Sequence, residues 1–161
     1  MSVIGDIASS YRGPHKVVAR HLAMGPREDR ALAILMAGCV MLFVASWPYN
    51  TRVAHFENQD IQPLIGGSLF GLLFIAPLGL YLIAAIVGFV LGLFGWKGGA
   101  YASRISLFWA LLASSPLVLL HGMTRGFLGT GLQEQSVGLV WFVVFMWFWI
   151  SGLFQAGRGT A

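Results

Sequence analysis

Charge is the scarce ingredient of this chain. Only 10% of its 161 residues are Asp, Glu, Lys or Arg, against roughly 25% in soluble domains. From Ile61 to Trp96 there is no acid, no base and no histidine. A charged side chain at the bilayer centre costs about 2.5–3.5 kcal/mol, while each Leu, Ile, Phe or Val favours insertion by roughly 0.3–0.6 kcal/mol, so lipid is the predicted solvent of that run.

Cysteine is nearly absent too. The single Cys39 excludes an intramolecular disulfide and any cysteine-built metal site, and it reads as a small packing residue. Met36-Ala37-Gly38-Cys39 loosely resembles a lipobox, but the apolar run begins only at Ala31 and continues past the cysteine through Val44. No cleavage is expected there, and the first span stays as an anchor. A stripe of Lys and Arg interleaved with aromatics is also missing, so the net charge of +4 does not point to nucleic acid. The positive-inside bias of membrane proteins accounts for it. Finally, no Asp, Glu, Lys, Arg or His falls centrally within a predicted span, which argues against proton relays, ion-coupled carriers and intramembrane hydrolases.

What is present predicts an all-α fold: a polytopic integral membrane bundle of four transmembrane helices behind an amphipathic amino-terminal region. Residues 1–30 carry half of the ten basic residues. Val3, Ile4, Ile7 and Tyr11 fall at helical spacing; a second piece starts at Pro14, shares a face among Val17, Val18, His21 and Leu22, and ends at Gly25-Pro26. This basic, amphipathic segment is expected in the headgroup layer, with Arg12, Lys16 and Arg20 against anionic lipid.

Span one runs from about Ala31 to Trp47, with Glu28 and Asp29 at the positive end of its dipole and a polar link from Asn50 to Gln62 after it. Span two, Leu64 to Phe94, would reach about 46 Å as one helix against a hydrocarbon core of about 30 Å, so a kink at Pro77 is expected to absorb part of the excess. Span three extends from about Arg104 or Ile105 to Leu120, and span four from Val137 to Phe154. With the amino terminus inside, this topology puts eight basic residues on the inner side and only Arg52 and Arg125 on the outer; a five-span alternative divides them six to four. The bias favours four spans, residues 31–155 as the membrane domain, and a short cytoplasmic tail at 156–161. The expected location is the cytoplasmic (inner) membrane.

Small residues at four-residue intervals are the clearest positive pattern. Gly67 and Gly71, then Ala84, Gly88 and Gly92, then Gly95 and Gly99, and on span three Ala102, Ser106, Ala110 and Ser114, predict helix-packing stripes. Span four is instead bulky, and Trp141, Phe145, Phe148 and Trp149 are expected to face lipid or a partner protein. No histidine lies among these rings to ligate a porphyrin metal, so no cofactor is expected. His55, Glu57, Asp60 and His121 gather in the predicted outer links without metal-site spacing and read as solvated groups. Ser114-Ser115 precede Pro116, where a hydroxyl can bond a freed carbonyl.

The stretch Gly95-Trp96-Lys97-Gly98-Gly99-Ala100-Tyr101, with Arg104, Phe108-Trp109-Ala110 and Ala113-Ser114-Ser115-Pro116-Leu117 after it, resembles the Yip1-domain family, in particular its bacterial branch. The resemblance implies a multi-span, non-enzymatic membrane protein. The Asp-Leu-Tyr-Gly-Pro type motif of eukaryotic members is missing, with only a faint echo at Tyr11-Arg12-Gly13-Pro14, so no GTPase contact is carried over. Members are often described with five spans, from which this four-span reading departs. A scaffold or assembly factor for other membrane components is the expected role, with membrane lipids and another integral membrane protein as partners. The alternative is a small transporter or channel subunit acting as a homo-oligomer.

Overall fold

A backbone shielded from water must satisfy its own N–H and C=O groups, and a helix does so within one segment. The computed structural model describes residues 3–158, and the described part contains helices and turns but no strand. In order these are α1 (Val3–Ser10), α2 (Pro14–Ala23), α3 (Glu28–Phe56), α4 (Ile61–Phe70), a π-helical turn (Gly71–Ile75), α5 (Ala76–Leu93), α6 (Gly99–Ala113), α7 (Ser115–Phe127) and α8 (Leu132–Gly157). Three stretches are long and apolar enough to cross a membrane: Glu28–Phe56, Ile61–Leu93 and Leu132–Gly157. The pair α6–α7 makes a fourth if its 48° bend lies within one span.

Several boundaries differ from those expected: α4 opens at Ile61, α6 at Gly99 and α8 at Leu132, each a turn or so before the expected start. Helix α3 opens on Glu28 and Asp29 as expected, but it runs through Pro48 to Phe56 rather than stopping near Trp47. An internal proline normally removes a hydrogen bond and costs about 3 kcal/mol. Here tertiary contacts hold the extra turns: Gly126 of α7 lies directly against Pro48, and the Asn50 amide donates to Ser68 Oγ of α4 at 2.8 Å. Likewise α7 extends to Phe127, so His121 is a helical residue and not the first of a link.

Around Pro77, where a kink is expected, Ile61–Leu93 continues as a single candidate span. The π-helical turn sits immediately before this proline, where the Ala76 N–H reaches back to the Gly71 carbonyl. The large bend lies elsewhere, at Ser114. Ser114 Oγ donates to the Leu111 carbonyl at 3.1 Å and accepts from Trp141 Nε1 at 3.2 Å, while Pro116 occupies the first turn of α7. The serine thus covers a carbonyl next to a proline-started helix, the structural role its position suggested.

Helix α6 is the axis of the bundle. From Ala102 to Ala113 every residue except Arg104 is buried, with Phe108 and Trp109 the bulkiest. Leu35 and Cys39 of α3, Ala84 of α5 and Phe148 of α8 close around it. The amino-terminal pair joins this core as well. Val17 and Val18 of α2 are each 1% exposed, Trp109 Nε1 donates to Ser10 Oγ at 3.0 Å, and the Tyr11 ring meets Phe148 edge-on at 5.1 Å. The apolar side assigned to the headgroup layer is therefore covered by protein along α2, whereas Val3 and Ile4 stay exposed.

Candidate functional site

The small-residue stripes divide into used and unused positions. Ala84 is buried, its carbonyl accepting from Ser103 Oγ at 2.7 Å, and a side chain at Gly88 would press on Ser103. Ala102, Ser106, Ala110 and Ser114 are all buried on α6, and Gly152 of α8 packs against Ser106. Gly67, Gly71 and Gly92 have nothing within 4 Å of where a Cβ would stand. Gly95 and Gly99 make no packing stripe: at φ of +79° and +75° they shape the α5–α6 turn, a conformation that favours glycine.

The glycines packed tightest against another helix lie outside the expected stripes. A Cβ on Gly122 would overlap the Ala45 carbonyl, and one on Gly126 would overlap Pro48. Gly122-x-x-x-Gly126 has the right spacing for such a contact, but a span ended at Leu120 leaves it outside.

Helix α8 also needs correction. Phe148, expected to face lipid or a partner, is 1% exposed and packed in the core. Trp141, Phe145 and Trp149 are half-buried in a column of rings with centroids 6.1 and 6.0 Å apart. Their spacing of i, i+4, i+7 and i+8 defines one face, and it is the inward one. The outward bulk belongs to Phe142, Trp147 and Phe154.

Ionisable groups collect at the two ends of the bundle. At one end, Arg104 of α6 pairs with Glu28 of α3, and Arg20 Nη1 of α2 meets Asp6 Oδ1 of α1 at 2.6 Å. Beside that second pair opens a cavity of about 480 Å3 between α1, α2, α3 and α6, walled by Trp109 and bordered by His21 and Arg30. The His21 ring lies 4.7 Å from Trp109, and neither of its buried nitrogens has a hydrogen-bond partner. Arg30 Nη1 is likewise buried and unpartnered. Burial pulls the His21 pKa below its usual 6.5; Asp6 opposes this, and Arg30 and Arg20 reinforce it. Arg12 and Lys16, expected on anionic lipid together with Arg20, point to the exposed side, while Arg20 turns toward Asp6.

At the other end, Arg52 donates to the Gly126 and Phe127 carbonyls at 3.3 and 3.2 Å, covering the terminal carbonyls of α7. Arg125 stacks 3.8 Å over the Tyr49 ring, and His121 Nε2 lies 3.5 Å from Glu134 Oε1 of α8. His55 packs on its neighbour Phe56. His55, Glu57, Asp60 and His121 do not converge: among the described residues no three His, Cys, Asp or Glu side chains come close enough to hold a metal.

Compared with protein-family models, with curated proteins and with solved structures, the chain matches none of them. The fold itself defines a class. This is an all-helical protein with three or four apolar helices of membrane-spanning length, compatible with a membrane protein.

Proposed function

We propose that this chain is a non-enzymatic, Yip1-like integral membrane protein of the cytoplasmic membrane, both termini inside, that scaffolds or assists assembly of other membrane components. One observation carries the reading: the helix Ile61–Leu93 is the most apolar of the candidate spans and, like α8, has only 11% of its apolar 18-residue window buried. Gly67, Gly71 and Gly92 lie on it with open space before them. In lipid no hydrophobic drive brings helices together, so small residues that permit close backbone approach are the usual means of association. The occupant that fits is an apolar transmembrane helix of a different membrane protein, with Arg12 and Lys16 adding attraction to anionic headgroups.

A homo-oligomeric pore is the competing reading. It lacks the ionisable lining such a path commonly uses: the ion-paired groups of the described residues lie at the two ends of the bundle. The experiment is affinity purification of the full chain in mild detergent, with Gly67→Leu/Gly71→Leu beside it. A stoichiometric heterologous membrane protein that is lost from the double variant supports the scaffold. A partner retained equally by both, or a symmetric ring of this chain alone that conducts ions in liposomes, overturns it.

A further inference from the structure

The cavity at the amino-terminal end of α3 combines two chemistries along one line. Arg30, Ala33, Ile34 and Ala37 recur at i, i+3, i+4 and i+7 on α3, a single face that descends about 10 Å from a cation to methyl groups. Trp109 and Leu112 of α6 form the opposite wall, apolar along its depth. The upper rim is polar, where His21 and Arg20 of α2 and Asp6 of α1 meet Arg30. Two guanidiniums and an imidazole therefore face a single carboxylate, and that carboxylate is bound to Arg20.

Arg30 Nη1 and both His21 ring nitrogens are buried there without a partner in the protein. The Arg30 guanidinium lines the groove and is a donor in every state, so it requires an acceptor, and beside Arg20 the acceptor that fits is anionic. A soluble anion would leave the methyl-lined wall below it open. An amphiphile satisfies both halves.

We infer that this groove is a binding site for an anionic phospholipid, its phosphate held at the Arg30 guanidinium and one acyl chain lying along Ala33 and Ala37 against Trp109. The site is distinct from general attraction of basic residues to a membrane surface, because it has a depth and a direction. It is also independent of partner docking on the Ile61–Leu93 helix, so either reading can fail alone.

The test is native mass spectrometry of the full chain in detergent, titrated with phosphatidylglycerol, with phosphatidylcholine and with glycerol phosphate. Both lipids carry the phosphate, so net charge makes the difference: phosphatidylglycerol is expected to bind about tenfold tighter than phosphatidylcholine, whose choline cation the positive rim repels, and glycerol phosphate is expected not to compete. Arg30→Gln should lose about that tenfold preference and Arg30→Lys should restore part of it. Lys97→Gln, at an exposed position outside the groove, should keep it. Ala37 is exposed, so Ala37→Trp can fold while filling the chain seat, and it should abolish retention of the lipid. Equal binding of the two lipids overturns the site. So do full competition by glycerol phosphate, equal loss in Lys97→Gln and Arg30→Gln, or unchanged binding in folded Ala37→Trp.

Discussion

Helix α6 and the Ile61–Leu93 helix carry similar small-residue patterns and use them to very different extents. Both are apolar and both repeat Gly, Ala or Ser every fourth residue. Helix α6 buries its stripe and nearly every other residue from Ala102 to Ala113, whereas the longer helix buries only Pro77 and Ala84 along α5 and none along α4. A small-residue stripe therefore states that close approach is sterically permitted, and the neighbours decide whether it happens. In water the hydrophobic effect would have separated the two helices by composition; in lipid it does not.

The strongest way to break this contrast is at glycines. Gly122→Leu or Gly126→Leu drives a side chain into the Ala45 carbonyl or into Pro48, backbone and ring that have little room to move, so losses above about 4 kcal/mol and failure to form the bundle are expected. Gly67→Leu and Gly71→Leu meet open space and should leave the monomer's melting temperature in detergent within a few degrees. Equal damage at both pairs would mean that the long helix has an undetected neighbour within the chain.

A second comparison sets Trp109 against Phe89. Trp109 is 2% exposed and donates to Ser10, so Trp109→Ala should cost about 3–5 kcal/mol and release α1 from α6, read as faster proteolysis near Ser10. Phe89 is 69% exposed on the long helix, and Phe89→Ala should change stability by no more than about 0.5 kcal/mol.

The smallest effect is a pH dependence confined to the α6 side. The folded His21 imidazole has the lower pKa, so as pH falls the unfolded chain takes up the proton first. Stability from this group is full above the ordinary value of 6.5 and declines below it. Thermal melting should drop modestly between about pH 7.5 and pH 5.5, and His21→Gln should flatten that part of the curve. A steeper decline in the variant would assign the effect to another group.

Much of the helical layout was legible in the residues. Pro14 does open α2, Glu28 and Asp29 do lie in the first turn of α3, and Val17 and Val18 do share a face. The far end of α3 was not legible, because Pro48 signals a stop unless a partner such as Gly126 supports the continuing turns. The core face of α8 was misassigned for a different reason: Phe148 is as much at home among acyl chains as against Tyr11, and hydropathy is blind to that difference. The cavity at Arg30 was invisible, since its walls come from four helices spread between Val3 and Leu112.

The chain's composition alone determined its class, an all-helical fold with apolar helices of membrane-spanning length, because a run of thirty-six residues without an ionisable group favours an apolar solvent and a helix satisfies its own backbone there. Which apolar face turns inward was decided only by tertiary structure. Protein interior and lipid offer an aliphatic or aromatic side chain nearly the same free energy, so only shape, as at Gly122 against Ala45, selects between them.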